Sequence, residues 1–175
     1  MKYDFAIFGG TGIQGRICAR DLIKNGYSVM LIGRDQSMIQ NLLKNPKATF
    51  LRADLRNTKE IEEAIKKSGA DIIIDCAEYT FNLAILKACA KYGRHCTDLG
   101  GPQTENLKSY KFNKQFKEKG IMNLTGCGST PGISSVMVSY AAKFFDKITT
   151  IYAGFAWDSN IKKFVIPYSM PTIFD

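Results

Sequence analysis

Three observations predict an α/β protein built on a doubly wound, mostly parallel sheet of about six strands. Short apolar runs alternate with amphipathic stretches six times in succession. A glycine cluster, Gly9-Gly10-Thr11-Gly12-Ile13-Gln14-Gly15, stands between the first apolar run and the first amphipathic stretch. After about residue 147 the alternation stops and an extended, apolar segment begins. Strand–helix–strand units in this order lay parallel strands side by side with helices on both faces. With 175 residues, the expected division is 1–147 for the sheet domain and 148–175 for the start of a second unit.

Residues 3–8 read as a buried strand, and residues 13–25 as the first helix, stopped by Gly26. Residues 27–32 form a second strand, 35–44 a helix ended by Asn45-Pro46, and 48–51 a third strand. Asn57 and Glu60 have the spacing of a capping box. In the helix that follows, Ile61, Ala64 and Ile65 share a face, while Glu62/Lys66 and Glu63/Lys67 are placed to pair. Residues 71–76 are a fourth strand, 82–92 a helix stopped by Gly93, and 95–98 a fifth strand. A helix over 104–119 ends at Gly120, a sixth strand covers 121–125, a last helix covers 134–145, and 148–157 is extended.

Composition narrows the class. Apolar residues make up 45% and charged residues 23%, as in an ordinary folded domain, which excludes disordered, collagen-like and disulfide-stapled chains. No apolar run approaches the ~18 residues of a membrane span. An acid precedes the first apolar run, which ends in glycines, so no signal peptide and a cytoplasmic location are expected. Cys18, Cys76, Cys89, Cys96 and Cys127 include no C-x-x-C, and His95 is the sole histidine. Reduced thiols and no metal site are expected. The net charge of +8 is spread, with 15 basic and 11 acidic residues in 1–100 and 9 and 5 in 101–175. Lys108, Lys111, Lys114, Lys117 and Lys119 would make a solvated helix stripe. It lacks arginines and a nucleic-acid motif, so no nucleic-acid partner is expected.

The glycine cluster carries the chemistry. Gly10, Gly12 and Gly15 fit G-x-G-x-x-G, and Gly9, Gly12 and Gly15 equally fit G-x-x-G-x-x-G. In either spacing the glycines permit a tight turn, close approach of backbone to a pyrophosphate, and close helix–strand packing. The pyrophosphate then rests on the helix N-terminus, where free N–H groups and the dipole favour an anion. Gly9, Gly10, Thr11, Gly12, Ile13, Gln14 and Gly15 are therefore the expected dinucleotide-binding loop. At the end of the second strand, Arg34 suits the 2′-phosphate of NADP, while the neighbouring Asp35 leaves NAD open. Asp54 and Leu55 are expected beside the adenine, with Asp54 equally readable as a turn or helix-cap aspartate, and Cys76 and Ala77 beside the ribose and nicotinamide. Tyr79 and Cys127 are weak catalytic candidates, each set against plain loop packing, and no acid–base group is assigned. His95 falls at the opposite end of the sheet and is read as structural.

Further segments carry a resemblance. They are Asp75-Cys76-Ala77-Glu78-Tyr79, Tyr92-Gly93-Arg94-His95, Thr97-Asp98-Leu99-Gly100-Gly101, Gly126-Cys127-Gly128-Ser129-Thr130-Pro131-Gly132, and Ile166-Pro167-Tyr168-Ser169-Met170-Pro171. Their order resembles the saccharopine dehydrogenase family across essentially the whole chain. The resemblance implies a Rossmann domain followed by a substrate-binding and dimerising α+β domain, here only begun. It implies hydride transfer at a carbon–nitrogen bond of an amino acid or its secondary-amine adduct, with a small amino-acid-like substrate and a homodimer in the full-length form. Several members carry aspartate where Thr130 stands, so saccharopine itself is not assigned. Two other readings remain: a non-catalytic NADP-binding module or sensor, and a short-chain reductase. The second rests on Tyr110 and Lys114, whose Tyr-x-x-x-Lys spacing arises easily by chance in a lysine-rich chain.

Overall fold

Apolar runs of four or five residues with helical stretches between them fold as their order requires. The computed structural model describes residues 2–154. Strands β1 (Phe5–Phe8), β2 (Val29–Gly33), β3 (Ala48–Arg52), β4 (Ile72–Asp75), β5 (His95–Asp98) and β6 (Asn123–Leu124) are all parallel, in the order β3-β2-β1-β4-β5-β6. The order reverses between β1 and β4. In such sheets a ligand binds outside the carboxyl ends of the strands at that reversal.

The helices are α1 (Ile13–Lys24), α2 (Gln40–Leu43), α3 (Thr58–Ser68), α4 (Asn82–Tyr92), α5 (Gln103–Ser109), α6 (Asn113–Glu118) and α7 (Ile133–Ala141). Alternation along β1 and β2 divides the core between the two faces. On one face Ala6, Phe8, Met30 and Ile32 meet Ile61 and Ile65 of α3 and Ile85 and Cys89 of α4. On the other, Ile7, Val29 and Leu31 meet Ala19 of α1 and Ile39. Each fully buried Ile, Leu or Phe contributes about 1.5–3 kcal/mol. His95 opens β5, and its Nδ1 accepts from the Met122 N–H at 3.2 Å, a structural tie to the start of β6.

Several local expectations are corrected. The helix over 35–44 is a tight 3-10 turn (Ser37–Ile39) leading into the single turn of α2. The Asp35 carboxylate accepts from both the N–H and the hydroxyl of Ser37, drawing the chain into a local turn. The helix over 104–119 breaks into α5, a 3-10 turn (Tyr110–Phe112) and α6. The Ser109 hydroxyl donates to the Asn106 carbonyl at 2.6 Å where the break begins. The lysine stripe is broken with it. Lys108 pairs with Glu105, Lys114 reaches Glu118 at 3.9 Å, and Lys119 Nζ donates to the Ala90 and Lys91 carbonyls that end α4.

The capping box is rearranged. The Asn57 side chain accepts from the Lys59 N–H, but Glu60 takes the Asn57 amide and the Asp54 N–H instead of closing back on the Asn57 backbone. Glu63 and Lys67 pair at 3.6 Å as expected. Glu62 instead crosses to α4, accepting from Lys91 Nζ and the Tyr92 hydroxyl, both at 2.7 Å. Beyond α7, residues 148–154 form no strand, since none of the described strands extends beside them. Residues 155–157 of the expected extended run, and most of the expected second unit, lie outside the described residues. Among the described residues no helix is long and apolar enough to cross a membrane.

Candidate functional site

The site is built from the loops that leave the carboxyl ends of the strands. Gly9, at φ +67°, turns the chain out of β1 in a conformation that suits glycine. A Cβ on Gly9 would lie 2.7 Å from the backbone of Cys76 and Ala77, and one on Gly15 would lie 2.3 Å from the Gly9 carbonyl. The glycines at 9 and 15 therefore let the β1 loop, the start of α1 and the β4 loop close on one another. Gly12 differs, because a Cβ there would meet only the Gly9 carbonyl, at 3.2 Å, leaving its outer side open.

Gly12 caps α1 with no side-chain hydrogen bond, and the first turn holds no acid. The opening N–H groups of a helix have no intrahelical partner. This is a surface prepared for an anion, and its open side at Gly12 fits a pyrophosphate. Ile13, Gln14 and Gly15 supply the first-turn N–H groups. Thr11 packs its side chain over Gly33, where an added Cβ would lie 2.6 Å from Thr11 Oγ1, so the loop is also fixed to the end of β2.

Arg34 follows β2 directly, is exposed, and forms no ion pair within 4.0 Å among the described residues. Asp35 beside it is engaged with Ser37, which holds its carboxyl below the usual range. The cation is thus presented and the acid withdrawn. Asp54 follows β3 and gives both carboxylate oxygens to Arg56, with Nε contacts at 2.9 and 3.1 Å and a further bond from the guanidinium Nη2. Those bonds hold its carboxyl well below the ordinary value, with Arg34 adding a smaller pull. Its acceptor capacity in this arrangement is therefore taken up by Arg56 rather than open to an adenine. Leu55 is half-buried against the α3/α4 core.

At the other side of the reversal the loops touch in turn. Cys76 and Ala77 pack on Gly9, and Tyr79 lies against Gly101, where a Cβ would sit 2.7 Å from the tyrosine Cβ. Gly100 faces Gly126 and Pro131, with distances of 2.9 and 2.7 Å from an added Cβ. Asp98 joins the last two loops. Its Oδ1 accepts from Gly100 N–H at 2.7 Å, the Thr125 hydroxyl at 2.8 Å and Gly126 N–H at 3.2 Å. Cys127 is exposed, with Sγ 3.6 Å from the Leu124 carbonyl and its N–H on the Asp98 carbonyl. Asp98 and Asp75, the two buried acids at this edge, were not singled out by sequence reading. The available signal was an acid closing each of two neighbouring strands, one of them the apolar Ile72-Ile73-Ile74.

A six-stranded parallel sheet of this order, with an uncapped helix behind a glycine turn, defines the dinucleotide-binding class of α/β domain. The match to known proteins narrows this. The model of the saccharopine dehydrogenase NADP binding domain matches residues 5–124, and the chain belongs to that family. It is an NADP-binding domain. A carboxyaminopropylagmatine dehydrogenase of Synechocystis is 28% identical over 151 residues, covering 80% of this chain and 37% of that protein. A lipid droplet localized protein of Caenorhabditis elegans is 22% identical over 158 residues, covering 82% and 37%. The solved saccharopine dehydrogenase (L-Glu forming) of Saccharomyces cerevisiae superposes with a TM-score of 0.67 at 15% identity, over 81% of this chain and 31% of that one, and shows the shared fold. The chain spans 37% of the length of these two curated relatives.

Proposed function

We propose that this chain is the cofactor-holding part of an NADP-dependent oxidoreductase that moves a hydride at a carbon–nitrogen bond of an amino acid or of its secondary-amine or imine adduct. The observation that carries the cofactor half is the pairing of an exposed Arg34 with an Asp35 turned onto Ser37, beside an uncapped helix N-terminus. In this reading the pyrophosphate rests on the loop from Gly9 to Gly15, and Arg34 takes the 2′-phosphate. Asp54 and Leu55 border the adenine, with Arg56 turning aside if Asp54 is to accept from it. Cys76 and Ala77 flank the ribose and nicotinamide. Tyr79 and Cys127 border the reacting end as lining groups. The nicotinamide supplies the hydride, and the protein supplies orientation and charge. The relative named as a carboxyaminopropylagmatine dehydrogenase supports a substrate of amine type.

The domain reading is 1–147 for the cofactor and 148–175 for the opening of a substrate domain, with two copies associating in the full-length protein. Five free cysteines support a cytoplasmic location. No acid–base group is assigned at the nicotinamide end, so the chain alone is expected to bind NADPH without turnover. Robust amino-acid-dependent NADPH formation by the purified chain refutes that expectation. The cofactor assignment is tested by titration. Arg34→Ala should weaken NADPH by ~1–3 kcal/mol and leave NADH nearly unchanged. Equal weakening of both overturns the role given to Arg34.

A further inference from the structure

The carboxyl edge holds an acid that none of these roles uses. Asp75 ends β4 and is only 2% exposed. Its Oδ1 accepts from the Ala77 N–H at 2.9 Å. Its Oδ2 is buried and has no hydrogen-bond partner. In the register of β4 and β5 it stands directly opposite Asp98, also buried. Neighbouring strands lie only ~4.8 Å apart. No donor reaches Asp75 Oδ2, whereas three meet on Asp98 Oδ1. An unpartnered, buried oxygen beside it suits a proton, because a second charge would be unsolvated and repelled.

We propose that Asp75 is a positioning residue for the dinucleotide: as a neutral acid it seats the Cys76–Ala77 segment on Gly9, and its ionisation unseats that segment and weakens NADP binding. The inference rests on the glycine loop being where the cofactor lies. The link is steric and short. Asp75 Oδ1 fixes Ala77 N–H, and the Cys76–Ala77 peptide is the group that an added Cβ on Gly9 would meet at 2.7 Å. A charge on Asp75 draws in water or turns the side chain outward, and either movement shifts that peptide against the loop.

The surroundings favour the proton. Burial pushes the Asp75 carboxyl up to about 7, against the pull of the Ala77 N–H, and the charge of Asp98 adds to the rise. The register partner on β1 is Phe8, which does not titrate. The nearby thiols are Cys76, raised by its hydrogen bond to Cys18, and Cys96 on β5, raised by its bond to Cys89 of α4. Both stay neutral through this range. Among the described residues no lysine or arginine contributes to the shift at Asp75.

The test compares NADPH titrations of the 175-residue chain and its Asp75→Asn variant between about pH 6 and about pH 8.5. The 2′-phosphate of the cofactor titrates too, but equally for both proteins, so their ratio isolates Asp75. The expected result is a Kd ratio, wild type over variant, that rises about tenfold across the range. A constant ratio, which a merely structural aspartate would give, overturns the proposal. Infrared difference spectra of the wild type provide a second readout that needs neither cofactor nor variant. The carbonyl band of a protonated carboxylic acid should be present near pH 6 and lost near pH 8.5, and its absence near pH 6 overturns the proposal. Failure of the wild type to bind NADPH at any pH sinks the cofactor reading and, with it, the proposed role, while the infrared band still reports the state of Asp75.

Discussion

The half of the sheet around β1 and the chain beyond β6 follow opposite rules. Ile7, Phe8, Leu31 and Ile32 are all 0% exposed, and helices cover both faces around them. Beyond β6, Val136, Met137, Tyr140 and Phe144 are 64–71% exposed. Yet α7 is among the more apolar helices of the chain, and among the described residues its surface meets chiefly the turn that follows it. One region contains its own partners, whereas the other carries apolar surface that no other described residue covers. The lesson is that helices close the sheet around β1 on both faces, while α7 leaves apolar surface open among the described residues.

Mutations can break or sharpen that contrast. The largest effect is expected from Phe8→Ala, which should destabilise by about 3–5 kcal/mol in denaturant unfolding. A loss below 1 kcal/mol would mean that the closed region is not closed. Next comes pH. Asp75 holds its proton to about 7 when folded, against an ordinary value of 3.8. Between those values the folded state binds the extra proton, so the contribution of Asp75 to stability falls as pH rises, at up to about 1.4 kcal/mol per pH unit. That contribution is level above about 7, and Asp75→Asn should remove it. A wild type and variant with parallel stability profiles would contradict this.

A smaller effect is expected from Gly15→Ala, whose Cβ would stand 2.3 Å from the Gly9 carbonyl. It should cost about 1–3 kcal/mol and reduce NADPH affinity. Undiminished affinity would show that the loop does not need this closeness. The smallest is Phe144→Ser, expected to fall within about 0.5 kcal/mol. A loss comparable to that of Phe8→Ala would show that the turn after α7 (Ala142–Phe144) is already covered, erasing the difference between the regions.

Sequence reading reached different depths in the two regions and at the site. Residues 82–92 and 95–98 coincide with α4 and β5, because Gly93, at φ +66°, provides a clear stop between them. The glycine turn was legible because the sequence sets it after a strand and before a helix, where β1 and α1 place it. What escaped depended on groups that meet only after folding. Glu62 finds Lys91, 29 positions away, although Lys66 stands one turn along its own helix. Asp75 looks like an acid closing a strand until β5 places Asp98 opposite it. The breaks at Asp35 and Ser109 come from short polar side chains seizing nearby backbone, which hydrophobic periodicity does not register.

The contacts made by Gly9, Gly100 and Gly101 have a consequence for how this edge can change. Each glycine leaves room that the next loop fills: Gly9 for Cys76 and Ala77, Gly101 for Tyr79, Gly100 for Gly126 and Pro131. A side chain gained in one loop therefore requires a retreat in its neighbour. Substitutions along this edge should combine non-additively, so divergence of specificity here is expected to proceed by linked pairs of changes, with single replacements selected against.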